Sequence, residues 1–391
     1  MTSDPLNALF TWIRGADDAG VVDPRQQLRV REDGVRGMFA SADIDAGDLL
    51  AWLPYDRLLS SEGQTKSASY CGLKHRLRKE LTLGGTSKWE PYLETLKNMS
   101  FAEHPEVWSI KALVLVARIP PYQVRPKTRG WQQICGGQPG DQIGLRAALL
   151  ATTRAVGPYD LGGGRIGFAM APLFDLYNHH GSTYGRAAPP WLNTRVEMQH
   201  GEKAGLEIRA TRRIEAGSEI FNCYCCGGDG GGCLTHGAAP DLAMTYGFIG
   251  APPTHWWFHS EECVGSASNA THPCQPHRFT LLDDERGTVA WPDDEPTESG
   301  GAHARAAVPV DYAAFMRDAS AYFEQQYAFP PSEDAPVNPK HAEARGRAET
   351  EDELRQIDLA LAYRHAFERA LRAAYRTAAE REGHQDVRDE L

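Results

Sequence analysis

Apolar residues recur along this chain in two registers, and each reads as a different kind of element. Between Pro5 and Gly15, Leu6, Leu9, Phe10 and Ile13 fall three and four apart, the spacing of one helix face. Gly34-Val-Arg-Gly37 then interrupts the chain. The runs Met38-Phe-Ala40 and Asp48–Leu53 read as strands, separated by the turn Asp45-Ala-Gly47 and ended by Pro54. From Ser60 to about Leu149 the pattern turns helical. There Ser87-Lys-Trp-Glu90 has the form of a capping box. Ser109 precedes the apolar run Ile110–Ile119, which Pro120 and Pro121 stop, and Leu145–Ala155 reads as another apolar helix. Strand-like runs return at Ile166–Asn178 and Val196–Arg209, and Ile214-Glu-Ala-Gly217 introduces Glu219-Ile-Phe-Asn-Cys-Tyr224. The echo between Asp43-Ile-Asp-Ala-Gly47 and Arg213-Ile-Glu-Ala-Gly217 is one turn type used twice.

Beyond Ala251 the texture changes. After a long polar region, Phe279-Thr-Leu-Leu282 and Thr288-Val-Ala-Trp291 read as a hairpin across Asp283–Gly287. Helices follow near Asp311–Tyr327 and Thr350–Ala379. In the last, Leu359, Tyr363, Phe367, Leu371 and Tyr375 recur every fourth residue, a packing stripe with alanine between.

Composition narrows the class. With 391 residues, 41% hydrophobic and nine tryptophans, the chain can build a sizeable core. A formal charge of −11 argues against a general nucleic-acid binder and suits a partner that presents a basic side chain. Met1–Trp12 lacks the pattern of a signal peptide, and Asp4, Asp17 and Asp18 are out of place in a transit peptide. No stretch approaches the roughly 20 apolar residues of a membrane span. The expected location is therefore cytoplasmic or nuclear, without membrane partners. Arg388-Asp-Glu-Leu391 reads as the acidic end of a helix, because a retention address needs an entry signal. Eight cysteines do not make a disulfide scaffold in a chain this long. Four crowd into Cys223-Tyr-Cys-Cys226 and Cys233 with His236 nearby, as reduced thiols or as a zinc site. The spacing is not the paired Cys-x-x-Cys of structural zinc, so no metal is expected.

The candidate chemistry sits in Met170-Ala-Pro-Leu-Phe-Asp-Leu-Tyr-Asn-His179, in Ile220-Phe-Asn-Cys-Tyr224 and in Tyr246-Gly-Phe248. A polar Asp-x-x-Asn-His cluster closes an apolar run. Such groups need partners, since an unpaired buried polar group costs roughly 1–3 kcal/mol, and a bound ligand is one way to supply them.

The order of these motifs resembles the SET-domain protein methyltransferases, in the branch that includes the Rubisco large-subunit lysine methyltransferase. Four segments carry the resemblance: Phe10–Ala16 with Gly34–Asp48 and Leu53-Pro54; Trp89–Leu96 with Pro105 and Trp108; Thr153-Arg-Ala155 with Ala171–His179; and Ile214–Tyr224 with Asp241–Ile249. It implies an α+β fold of small curved sheets with a helical insert and a threaded pseudoknot, followed by a smaller, mainly helical lobe. On that reading residues 1–250 are the SET domain, with its insert at about 60–149. Residues 251–391 are the substrate-binding lobe.

The implied activity is S-adenosylmethionine-dependent N-methylation of a lysine on a non-histone protein. A histidine target, a non-catalytic scaffold for a protein partner, and a thiol or zinc regulator are the rivals. The resemblance makes Tyr224 the catalytic residue. It gives the donor to Gly34, Val35, Arg36, Arg154, Asn178, His179 and Tyr224, and the target side chain to Asp175, Tyr246 and Phe248. Three departures bear on substrate identity: His180 after Asn-His, Cys225 after the late tyrosine, and Ala238-Ala239 ahead of Tyr246.

Overall fold

The two turns that echo each other in sequence pair with each other in space. Ile44 and Ile214 exchange both backbone hydrogen bonds, at 3.0 and 2.9 Å. Gly47 and Gly217 sit at φ of 89° and 87°, backbone that glycine takes freely and other residues avoid. The Gly47 N–H donates to Ala210 and the Gly217 N–H to Ala40, at 2.9 and 2.8 Å. Each turn thereby delivers the chain that follows it onto the strand that leads into the other.

A computed structural model describes residues 5–15, 19–32, 34–101, 104–116, 119, 130–180, 191–200, 204–224, 238–250, 252–258, 277–283, 286–291, 310–327 and 344–383. Its regular elements begin with α1 (Pro5–Arg14), β1 (Val21–Val22), β2 (Gln26–Val30), β3 (Arg36–Ala40), β4 (Leu49–Pro54) and β5 (Leu59–Gly63). Next come α2 (Lys66–Leu83), α3 (Glu90–Leu96), α4 (Ile110–Val116), α5 (Gln142–Arg154), β6 (Ala155–Asp160), β7 (Ile166–Met170), β8 (Thr194–Gln199) and β9 (Gly205–Ala210). The chain continues with α6 (Ala239–Tyr246), β10 (Thr254–Phe258), β11 (His277–Asp283), β12 (Thr288–Ala290), α7 (Tyr312–Tyr327) and α8 (Glu351–Arg381). This is an α+β chain of small sheets with a helical C-terminal region.

It divides into two compact units, residues 1–101 with 126–235, and 102–125 with 236–391. The stretches 102–125 and 236–250 fall in the second unit for a visible reason. The His104 ring bonds the Thr245 carbonyl at 3.0 Å, and Arg364 reaches the Leu115 carbonyl at 3.2 Å.

In the first unit the sheets are β1-β4-β9-β8, β2-β3 and β5-β7-β6, all antiparallel. Leu9, Ile13, Met38, Leu53, Leu73, Leu150 and Ile208 are fully or almost fully buried between the sheets and α1, α2, α3 and α5. In the second, β10-β11-β12 and α4, α7 and α8 enclose an aromatic core of Trp256, Phe258, Phe279, Trp291, Phe315 and Phe367. The stripe on α8 buries Tyr363, Phe367 and Leu371, with Leu359 and Tyr375 packed at its margin. The hairpin is β11–β12.

Three local expectations are corrected. The helical stretch opens instead with a strand, β5, because Leu59–Gly63 finds β7 as a partner. Ser87 does not cap α3 as a box with Glu90: its hydroxyl donates to Glu80 and accepts from the Trp89 N–H, and Trp89 stands at the N-cap. The long run to Asn178 ends as a strand at Met170, after which Leu173 turns the chain at φ 73°.

Candidate active site

Glu219–Asn222 runs as an extended segment and bonds alternately to two flanks. On one side the Asn193 side chain donates to the Glu219 carbonyl and accepts from the Phe221 N–H (2.9 and 2.8 Å), and the Thr194 hydroxyl donates to the Phe221 carbonyl (2.8 Å). On the other, the N–H groups of Ile220 and Asn222 donate to the carbonyls of Met38 and Asn178, at 2.7 and 2.8 Å. Extended backbone points successive N–H and C=O groups to opposite sides, so one short segment can stitch two others together. Asn178 pairs in parallel with Phe221 as a result.

The stitching brings Tyr224 to His179 across 45 positions. The Tyr224 N–H donates to His179 Nδ1 at 3.2 Å, and the two rings stack with centroids 5.4 Å apart. With Nδ1 accepting, a neutral His179 carries its proton on Nε2. Trp191 meets the His179 ring edge-on at 4.9 Å, and His180 packs against Phe221 at 5.2 Å.

Beneath this pair lies a buried polar cluster. Leu173 is fully buried in a left-handed conformation that costs a non-glycine residue about 1–3 kcal/mol. The following turn, Phe174–Leu176, aims Asp175 inward. The Asp175 side chain is 2% exposed. Its Oδ2 accepts from the Tyr92 hydroxyl at 2.7 Å and lies 3.8 Å from Arg154 Nε, at the end of α5. Asp175 Oδ1 and Arg154 Nε are buried with no hydrogen-bond partner among the described residues. Arg36, on β3, bonds the Thr95 carbonyl at 3.2 Å.

These groups shift one another. Burial raises the Asp175 carboxyl against the pull of Arg154, the Tyr92 hydrogen bond and Arg36. Burial and the Asp175 charge hold the Tyr92 phenol well above its ordinary range. The Tyr224 phenol is pushed up to about 12, chiefly by burial, with Arg154 lowering it and Asp175 and Glu219 raising it. Burial lowers the Arg36 guanidinium, partly offset by Asp175. Two guanidiniums therefore face one carboxylate where water screens little, an arrangement that suits an anionic group.

The glycine segment forms the adjoining wall. Gly34, at φ 81°, closes a turn in which Arg31 and Val35 bond through backbone, Arg31 N–H to Val35 carbonyl at 2.8 Å. Gly37 is needed for space: a Cβ there would stand 2.7 Å from the Asn178 amide nitrogen and overlap the Glu219 carboxylate.

Residues 35–225 match the family model described as SET domain. The chain carries a SET domain. Its fold is shared with solved structures that it matches over nearly its whole length. One, a SET domain of LSMT bound to lysine and AdoHcy, is 12% identical, with a TM-score of 0.54 over 98% of this chain and 93% of that one. A second, bound to MeLysine and AdoHcy, is 13% identical with a TM-score of 0.56 over 99% and 94%. A third, Rubisco LSMT bound to AdoMet, is 13% identical with a TM-score of 0.51 over 98% and 93%. At this identity the likeness is one of fold. No curated protein matches the chain.

Of the residues singled out from sequence, Gly34, Val35, Arg36, Arg154, Asp175, Asn178, His179 and Tyr224 all lie in the first unit. Hydrogen bonds, ring stacking and mutual electrostatics link Arg36, Arg154, Asp175, Asn178, His179 and Tyr224 within the SET domain. Tyr246 and Phe248 belong to the second unit, where their rings lie 6.1 Å apart and Gly247 ends α6 at φ 82°. Cys225, Cys226, Cys233 and His236, the zinc alternative, lie outside the described residues.

Sequence reading missed Tyr92, Glu219, Arg31 and Trp191. Glu219 opened a short strand-like run, and Tyr92 stood in the Trp89–Leu96 segment, which carried the resemblance without a role for the tyrosine itself. It also missed a disulfide, Cys71–Cys135, which ties α2 to the segment before α5. No helix among the described residues is long and apolar enough to cross a membrane.

Proposed function

We propose that this SET domain transfers a methyl group from S-adenosylmethionine to the side-chain nitrogen of a lysine on a non-histone protein. One observation carries the reading: the Asn178–His179 tip, the Tyr224 phenol and the Arg36–Arg154–Asp175 cluster converge within one unit. The donor sets fit the methyl donor. The unpartnered Nε of Arg154 and the surplus of guanidinium suit its amino-carboxylate. The peptide groups around Asn178 and His179 suit its adenine, and the turn at Gly34–Arg36 its amino-acid end. When bound, it supplies an electrophilic methyl on a sulfonium sulfur, which needs no metal.

The residues supply alignment and charge. A lysine must lose its proton to act as a nucleophile, and guanidiniums nearby disfavour the ammonium form. Asp175 Oδ1, buried and open to a donor, can accept an N–H from the incoming amine. A phenol pushed up to about 12 stays protonated at neutral pH, so Tyr224 acts as a hydrogen-bonding aligner rather than as a standing base. In this proposal the mainly helical residues 251–391 hold the protein substrate.

The test is incubation with labelled donor and a lysate, followed by mass spectrometry of the modified residue. Label on lysine of a discrete protein supports the proposal, and label on histidine moves the target. Donor binding without transfer to any extract leaves a scaffold. Cytoplasmic or nuclear placement is part of the proposal; a Cys71–Cys135 bond that survives thiol trapping in cells would move it to an oxidising compartment.

A further inference from the structure

Glu219 stands between the two segments assigned to the methyl donor, and its bonds reach both. Its side chain is 6% exposed. Oε1 accepts from the Asn178 amide at 2.7 Å, and Oε2 lies 3.3 Å from the Arg31 guanidinium. Arg31 in turn closes the glycine turn through its backbone bonds to Val35 and Gly34. The Asn178 amide also donates to the Arg36 carbonyl at 2.8 Å, so its nitrogen is fully committed to Arg36 and Glu219. The Glu219 backbone is itself fixed, paired with Phe39 and held by Asn193. Gly37 lies against the carboxylate with no room for a side chain.

A buried carboxylate in this position sets a distance. It draws the Asn178–His179 tip and the Arg31–Gly37 wall to one point through two charge-assisted contacts, which are stronger than neutral ones. Nothing in its surroundings requires it to touch a ligand. We propose that Glu219 is the positioning residue of the donor pocket, fixing the separation of its two walls; the role rests on the donor-binding reading above. Its effect should fall on donor affinity and leave the transfer step largely alone.

Calorimetric titration of the full chain with S-adenosylmethionine tests this. Glu219→Ala should weaken donor binding roughly tenfold to hundredfold, the loss of one charge-assisted hydrogen bond. Glu219→Gln keeps the volume and an acceptor for Asn178 but removes the charge that faces Arg31, so it should recover only part of that loss, whereas a merely space-filling role predicts full recovery. In steady-state assays the donor KM should rise in Glu219→Ala while kcat at saturating donor changes far less. Should Glu219→Ala fail to fold, Glu219→Asp keeps the charge but shortens the reach, and should weaken donor binding by about tenfold. A wild-type protein that binds no donor overturns the donor reading itself, and this role with it. Wild type that binds, beside a folded Glu219→Ala or Glu219→Asp within about twofold of it, overturns the positioning role alone.

Discussion

Tyr92→Phe probes the buried cluster with the smallest possible change. Tyr92 is fully buried, and its hydroxyl donates the one side-chain hydrogen bond that the Asp175 carboxylate receives among the described residues. The charged neighbour, Arg154 Nε, stands at 3.8 Å, and Oδ1 accepts no side-chain hydrogen bond among the described residues. A hydrogen bond to a charged group contributes roughly 1.5–3 kcal/mol. For a unit of this size that corresponds to about 3–12 °C in unfolding midpoint.

The pH dependence makes the test sharper. Asp175 is raised on folding, so the folded state binds its proton more tightly than the unfolded chain does. Stability from this group is full below the unfolded value of 3.8 and is lost as pH rises through the raised folded value. The Tyr92 bond favours the ionised form and limits that loss. Its removal should therefore cost little near pH 4 and more near pH 8. Thermal unfolding of wild type and Tyr92→Phe across that range measures it, and in an Asp175→Asn background the deficit should become independent of pH. A deficit that is absent, constant with pH or smaller at pH 8 would refute the reasoning.

Other outcomes follow from single features. Tyr224→Phe should leave donor affinity unchanged by calorimetry and reduce turnover by about 10²–10³, the scale of one lost aligning hydrogen bond in a transition state; an unaltered rate counts against the mechanism. Cys71→Ser opens a loop of 64 residues and should lower stability by about 4 kcal/mol in denaturant titrations without reductant, with wild type converging on the variant once reduced. Thr350→Ala removes the N-cap of α8, whose hydroxyl accepts from the Glu353 N–H at 3.1 Å. It should cost the second unit about 1 kcal/mol, read as a lower midpoint with donor affinity intact.

The features that were legible in the sequence are those whose cause is local. The face of α1, the stripe on α8 and the β11–β12 hairpin follow from spacing, because a residue's burial there depends on neighbours three, four or two positions away. The meeting of His179 with Tyr224 came instead from resemblance to a known family, since nothing in either segment names the other. The echo of the two Ala-Gly turns was visible as a repeat, but not that each turn is the other's partner. Glu219 shows why. After Gly217 it reads only as the start of the run to Tyr224; it is buried because Asn178 and Arg31, 41 and 188 positions away, complete its carboxylate. Tyr92 and Asp175 are a second case, 83 positions apart. A buried polar group is tolerable only with its partner, so its burial is a property of the pair, and pairs are made by topology. The site residues hardest to find from sequence are therefore those that join two segments, and a domain that assembles its pocket from crossed chain segments contains many of them.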